Sequence, residues 1–213
     1  MNRQSIGPLL FLLGVFFLQS CANVSTLQTG RTLKPGEGRI IIGAGYYKSP
    51  GLNSTLSGAA STKELAMPYY ELAYNRGIFD SFDMMFKVSG TGTVNIGGKY
   101  NLIDASSFAL ALGADYGMIS FSSSGESTKT EIKDIMVPLI MSYDFGKGFT
   151  LYLAGKYVSR STTYGSLSGS TTLKGASAGL KIGEGGGIMI EANYLKDDNT
   201  SFDVMQTNLG FFF

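Results

Sequence analysis

The chain has no histidine, no tryptophan, one cysteine and only five prolines in 213 residues. Each shortage excludes something. Without histidine there is no Ser–His–Asp triad and no Cys–His dyad. With Cys21 as the lone thiol, no His/Cys cluster can hold a transition metal, and no intramolecular disulfide can form. Charge is also scarce. Asp, Glu, Lys and Arg make up 15% of the chain, against roughly 25% in soluble domains. The 17 basic and 16 acidic residues leave a formal net charge of +1, which gives no electrostatic footprint for nucleic acid. Long apolar runs are absent after the amino-terminal segment. The longest, Ile135–Met141, is interrupted by Pro138 and falls well short of the ~18 residues a membrane helix needs.

What is present is glycine, at 29 residues, with 12 tyrosines and 14 phenylalanines, set in segments that alternate apolar and polar side chains. From Gly38 onward the pattern predicts ten strands, at about 38–47, 67–77, 80–89, 92–103, 106–121, 132–145, 148–159, 171–183, 186–196 and 202–213. Eight or twelve are the alternatives if a segment has been split or fused. Their connections alternate. Segments 48–66, 121–131 and 160–170 are long and rich in Ser, Thr and Gly, whereas Ile78-Phe79, Asp104-Ala105, Gly146-Lys147 and Gly183–Gly187 are tight. Period 2 puts Phe82, Met84, Phe86 and Val88 on one face of the third strand, and Asp83, Met85 and Lys87 on the other. Outward aromatics fall at two heights: Tyr74, Phe82, Tyr100, Phe108, Tyr143 and Phe149 near the tight turns, Tyr46, Tyr116, Tyr157 and Tyr194 near the long loops. Two aromatic girdles around an alternating sheet predict an all-β fold, a transmembrane antiparallel up-and-down β-barrel. Pro138 cannot donate to a ladder, so a bulge is expected there.

The first residues read as a targeting segment: Arg3, then the apolar core Ile6–Leu18. Leu18-Gln19-Ser20-Cys21 resembles the bacterial lipobox. The division expected is residues 1–20 as a lipoprotein signal peptide, 21–37 as a polar lipidated periplasmic linker, and 38–213 as the barrel. Cys21 would carry the acyl chains, two or three of which anchor stably. The alternative is an ordinary signal peptide cleaved near Ala22, with a chance cysteine.

The inward positions carry Glu71, Asp83, Lys87, Lys99, Asp115, Lys156, Lys181 and Glu191. Lipid excludes them, since a lysine at mid-bilayer costs roughly 2–4 kcal/mol. Counting from the hairpin centres sets Glu71 opposite Lys87 and Asp83 opposite Lys99, with Lys181 diagonal to Glu191. The expectation is a lumen plugged by salt bridges, with a narrow hydrated pore for a small solute as the alternative. Glu71 and Asp83 are candidate carboxylates for acid–base work, but each has a nearer lysine, so no enzyme and no cofactor is expected. The Gly183–Gly187 cluster lacks the GK[ST] of a phosphate loop and joins two strands.

The last strand alternates Met205, Thr207, Leu209, Phe211 and Phe213 against Gln206, Asn208 and Gly210, and ends on an aromatic. Together with the lipobox and the dyad pattern, this resembles the small bacterial outer-membrane β-barrels of OmpA-like or omptin size. The hairpin Tyr70–Asp80 followed by Phe82–Phe86 is similar to those of such barrels. The resemblance covers residues 38–213. It implies insertion into outer-membrane lipid by the barrel-assembly machinery, which reads Phe211 and Phe213 in the terminal strand. It implies long loops outside and both termini in the periplasm. Catalytic barrels of this kind generally use histidine, so their activities are not implied. The function expected is a non-enzymatic outer-membrane barrel lipoprotein with a structural or surface-interaction role. A surface ligand could be met through loops 48–66, 121–131 and 160–170, which read equally as solvated loops without a partner.

Overall fold

A strand that is apolar on one face and polar on the other must bury one face and leave no unpaired edge in lipid. Closing the sheet on itself meets both demands. The computed structural model, which describes residues 23–50, 64–90, 92–122, 129–198 and 203–213, is a closed barrel of ten antiparallel strands in up-and-down order. These are β1 (Gly38–Pro50), β2 (Glu64–Phe79), β3 (Phe82–Ser89), β4 (Val94–Asp104), β5 (Phe108–Ser122), β6 (Lys129–Gly146), β7 (Phe149–Tyr164), β8 (Leu167–Ile182), β9 (Gly187–Asp197) and β10 (Asp203–Phe212). The seam joins β1 to β10, with Gly43 opposite Gly210. Beyond β10, Phe213 exchanges two backbone hydrogen bonds with Ile40, of 3.0 and 3.1 Å. No helix among the described residues is long and apolar enough to cross a membrane; crossing falls to the strands.

The facing follows the alternation. In β3, Asp83, Met85 and Lys87 are buried and Met84, Phe86 and Val88 exposed; β5 and β7 alternate in the same way. The exterior is therefore a broad apolar surface that includes Ile42, Leu72, Ile96, Leu112, Leu139, Leu153, Ile190 and Leu209. That surface has no place in water and matches a hydrocarbon layer. Its upper limit can be read from β6. Ile135, Leu139 and Met141 point outward below, while Lys133, Glu131 and Lys129 point outward or lie half-exposed above. Glu131 there bridges Lys129 and Lys133 at 2.5 and 3.1 Å.

Strands β5 to β8 thus stand above the apolar band, and one expected loop is not a loop. Segment 160–170 is a continuation of β7 and β8, paired from Ser161↔Ser170 to Tyr164↔Leu167 across Gly165-Ser166. Its Ser and Thr content reads as loop composition, but β-branched Thr favours strands, and outside lipid an outward polar face costs nothing. Segments 51–63 and 123–128, within the other two expected loops, lie outside the described residues.

Two further expectations need correction. The β2–β3 turn falls at Asp80-Ser81, two positions later than Ile78-Phe79 suggests, with an irregularity between Gly77 and Phe79. Pro138 makes no bulge. It pairs in unbroken register with Lys156, and parity is the same on both sides of it. Gly113 makes this work: a Cβ there would lie 2.8 Å from the Pro138 ring, so the bare backbone leaves the ring its space. Gly113→Ala is expected to destabilise the folded barrel by about 1–3 kcal/mol through overpacking. Adding Pro138→Ala should recover most of that loss. Urea unfolding in detergent micelles checks both, and equal midpoints for wild type and Gly113→Ala would remove the packing argument.

Candidate functional site: an occupied lumen

Residues expected as a solvated linker lie inside the barrel. Asn23, Val24, Ser25, Thr26, Leu27, Thr29 and Leu33 are all buried, each at most 6% exposed. The chain reaches β1 through a tight reversal, Lys34-Pro35-Gly36-Glu37. There the Glu37 amide donates to the Lys34 carbonyl at 2.9 Å and Gly36 takes φ +82°. Proline second and glycine third is the signature of a type II turn. The reversal is tied to the wall by Gly36 N–H to Gly77 O (2.9 Å) and Gly77 N–H to Glu37 O (3.0 Å). A Cβ at Gly77 would come within 2.2 Å of the Lys34 carbonyl oxygen, so the passage needs glycine there.

The physical reason for the burial is the set of interior charges. Lys99 donates to the carbonyls of Thr29 (2.8 Å) and Arg31 (2.7 Å). Lys87 donates to Ser25 O and Lys156 to Val24 O, both at 2.7 Å. Glu191 accepts from the amides of Thr26 and Leu27, each 3.0 Å, and from the Thr26 hydroxyl at 2.5 Å. These successive amides converge on one carboxylate, as backbone N–H groups do in anion-holding nests, and the backbone is left-handed at Leu27, φ +43°. Asp83 accepts from Leu33 N–H at 2.9 Å. Glu71 accepts from the Ser25 hydroxyl at 2.7 and 2.8 Å and from the Asn23 amide. Neutral groups complete the grip: Val24 N–H to Gln206 Oε1 at 3.1 Å, Gly30 N–H to Ser142 Oγ at 3.1 Å, and Asn101 Nδ2 to Gly30 O at 2.8 Å.

Apolar anchors alternate with this grip. Val24 joins Tyr47, Tyr69, Met136, Val158, Leu173, Leu195 and Val204. Leu27 packs with Ile41, Ala73, Tyr152, Met189 and Phe212. Gly30 lies flat on the wall, where a Cβ would stand 2.7 Å from Ala109 O and 3.1 Å from Ile140 O. At the short-turn end Arg31 bonds to Asp104 and Asp144 and to the carbonyls of Ala105 (2.8 Å) and Ser106 (2.7 Å), fastening two turns together. Beside it opens a cavity of about 390 Å³ lined by Arg31, Lys34, Arg39, Asp144, Lys181 and Glu184, among others.

The residues singled out from the sequence are distributed as follows. Asp83 stands opposite Lys99 in register, with Nζ to carboxylate 3.3 Å. Glu71 stands opposite Ser89, because the β2–β3 turn is shifted; Lys87 is diagonal to it, 3.9 Å away. Lys156 and Glu191 lie 3.5 Å apart. Asp115 is buried opposite Gly97, where a Cβ would collide with its carboxylate. Lys181 does not join the lumen centre. It is diagonal to Glu191 in register, but its ammonium caps Gly183 O at 2.7 Å and sits 5.0 Å from the Phe212 ring, at the short-turn end. Phe211 and Phe213 face outward, while Phe212 is fully buried. Cys21 lies outside the described residues.

Sequence reasoning missed two things. The first is the Asp134–Arg160 pair, bidentate at 2.9 Å for both bonds and buried above the occupied part of the lumen. Inward parity of both residues was the available signal. The second is segment 23–33 itself. Its signal was Val24, Leu27, Gly30 and Leu33 at every third position in a stretch otherwise small and polar. Among the described residues no His/Cys/Asp/Glu cluster could hold a metal ion.

No family model matches the chain, and no curated protein matches it. Solved structures similar to it include an outer membrane channel from Pseudomonas putida F1, with 12% identity and TM-score 0.48 over 89% of this chain and 99% of that one. Neisserial surface protein A aligns at 12% identity and TM-score 0.44, over 82% and 95%. Ail, the attachment invasion locus protein of Yersinia pestis, aligns at 14% and 0.41, over 84% and 100%. At TM-scores below 0.5 the likeness adds nothing to the geometry: the closed ten-strand barrel and its apolar exterior carry the architecture. The chain has the architecture of a small outer-membrane β-barrel.

The contrast between a buried and an exposed lysine tests the grip. Lys87→Ala, which leaves Glu71 and the Ser25 carbonyl uncompensated, is expected to cost about 3–5 kcal/mol. Lys147→Ala, in the exposed β6–β7 turn, should stay within about 0.5 kcal/mol of wild type. Coincident unfolding curves for the two variants would mean that water, not Lys87, satisfies the segment.

Proposed function

We propose that this protein is a non-enzymatic outer-membrane barrel whose lumen is closed by its own amino-terminal segment, with a structural or surface-interaction role carried by the part of β5–β8 that stands above the membrane. The observation that carries this reading is the burial of Asn23–Leu33 across the lumen, held by lysines and carboxylates from β2, β3, β4, β7 and β9. A pore for a small solute needs a continuous water path. Here the inward charges are spent on a peptide backbone. The short-turn end, with Phe213 and the Lys34–Glu37 reversal, faces the periplasm in this reading, and the β7–β8 hairpin faces outward. Phe211 and Phe213 at the end of β10 serve as the terminal signal for the barrel-assembly machinery.

The segment also constrains the anchor. Cys21 is two residues from Asn23, a span of at most about 7 Å. With Asn23 held by Glu71 and Gln206 inside the barrel, a diacylated Cys21 cannot reach the periplasmic leaflet. A closed lumen and an inner-leaflet lipid anchor therefore exclude each other. The closed lumen fits cleavage near Ala22, which leaves Asn23 close to a free amino terminus. The second reading, favoured by Leu18–Cys21, is an acylated chain whose residues 22–37 hang below the barrel.

Intact mass and planar-bilayer conductance decide together. The expected mature protein lacks residues 1–22, carries no lipid, and does not conduct. Gly30→Leu should unseat the segment, because a side chain has no space against Ala109, and should give discrete conductance steps from a barrel that keeps its β-sheet circular dichroism. A wild-type protein that conducts as the variant does would sink the closed-lumen reading. A lipid adduct on Cys21 would replace it with the second. For orientation, in a Cys21→Ser background, a membrane-impermeant maleimide added to intact cells should label Ser166→Cys and spare Lys147→Cys. The opposite pattern would invert the barrel.

A further inference from the structure

Many of the bonds that hold residues 23–33 are addressed to backbone atoms, alongside side-chain bonds from Asn23, Ser25, Thr26 and Arg31. Lysines take the carbonyls of Val24, Ser25, Thr29 and Arg31. Carboxylates take the amides of Thr26, Leu27 and Leu33. Ser142, Asn101 and Gln206 take both groups of Gly30 and the amide of Val24. Every peptide offers these atoms. The apolar part of what the lumen reads in side chains is a short pattern: an apolar residue at Val24, another at Leu27, none at Gly30 and an apolar residue at Leu33, with polar residues between. Nothing in these contacts requires the covalent link through Lys34–Glu37.

We propose that the lumen is a binding site for an extended polypeptide segment, selective for apolar–x–x–apolar–x–x–Gly–x–x–apolar, and that residues 23–33 are its resident occupant, exchangeable with a peptide of another chain that carries this pattern. The proposal rests on the closed-lumen reading and extends it from a plug to a receptor. The charges explain why a polypeptide is the ligand class. A cluster of interior lysines and carboxylates would suit a small ion, but here three lysines and two carboxylates are spaced along one chain path, in order from Val24 to Leu33, each facing carbonyls or amides. The wall supplies the side-chain filter. Gly43 and Gly210, paired across the seam, leave room for Leu27, whose Cδ1 would lie 3.3 and 3.0 Å from a Cβ at either. At Gly30 the wall carbonyls admit no side chain at all.

The test cuts the tether and keeps everything else. A specific protease site inserted between Pro35 and Gly36, in the exposed reversal, is cleaved after the full chain has folded in detergent. The cut protein is then incubated with excess fluorescent peptide of the sequence Asn23 to Pro35, at temperatures stepped up to just below melting, and run on gel filtration. The expected result is that the released segment initially stays with the barrel and is then replaced one-for-one by the labelled peptide. A peptide with Thr29→Ala should bind within about threefold, since the contacts described for that residue go through its carbonyl. A peptide with Gly30→Leu should bind at least a hundredfold more weakly. Lys99→Met in the barrel should weaken the parent peptide tenfold or more. No labelled peptide at any temperature, or equal binding of the Gly30→Leu peptide, overturns the receptor proposal. The conductance of the uncut protein is a separate readout: closed uncut protein with no exchange leaves the plug and removes the receptor, whereas open uncut protein removes the plug itself.

Discussion

Everything in this molecule follows from the exclusion of charge from its outer surface. Period 2 gives each strand one face for lipid, so Glu71, Asp83, Lys87, Lys99, Asp115, Lys156 and Glu191 must be accommodated inside. A narrow lumen is a poor solvent. Pairing alone repays the desolvation of buried ions only with good geometry and with their remaining donors and acceptors filled. The direct pairs here are loose, 3.3 to 3.9 Å for Asp83–Lys99, Lys156–Glu191 and Glu71–Lys87. The close contacts, near 2.7 Å, run from the lysines to carbonyls of residues 24 to 31. The segment thus completes the coordination that the wall cannot provide for itself. Conversely, the wall satisfies backbone groups that would otherwise be buried without partners.

This reciprocity accounts for the distribution of glycine. Gly77 clears the reversal at Lys34, Gly43 clears Glu71 and Leu27, Gly210 clears Leu27 and Ile41, and Gly113 clears the Pro138 ring. At none of these positions is φ positive. Glycine is there for its missing Cβ, not for its conformational freedom. The nearest neighbours of Gly77 all belong to residues 33 and 34, so an empty lumen would not need glycine there.

The barrel itself was legible because strand parity is a one-dimensional property. Facing, strand number and seam can be counted along the sequence, and residues such as Phe82–Val88 and Met205–Phe213 fix them. What could not be counted is what fills the lumen. The interior acids and lysines balance in number, and neutrality by itself suggested a self-sufficient salt-bridge plug. Residues 22–37 looked like a linker because Asn, Ser, Thr and Gln are solvent-compatible, and because the anchoring residues Val24, Leu27, Gly30 and Leu33 repeat at three rather than two. Polar side chains in a tube lined by charge are interior residues, and composition does not separate that from water. The two-position displacement of the β2–β3 turn had the same origin. Parity survived it, so every residue kept its face, but Glu71 exchanged Lys87 for Ser89 as its direct neighbour.

The site also constrains assembly. Residues 23–33 bond to β2, β3, β4, β6, β7, β9 and β10, and they are joined to β1 through Lys34–Glu37. Those partners run from β2 to β10, so no short run of consecutive hairpins presents them all. The full grip therefore exists only once β1 meets β10. Val24 and Glu191 illustrate the dependence: one is held by Gln206 of the last strand, and the other receives amides from a segment that precedes the first. A sheet still open at the seam would expose its inward charges to water, where they are well solvated and in no need of the segment. Closure removes that water and makes the backbone of residues 23–33 the best remaining solvent for those charges. Sealing the barrel thus completes the set of partners that holds residues 23–33.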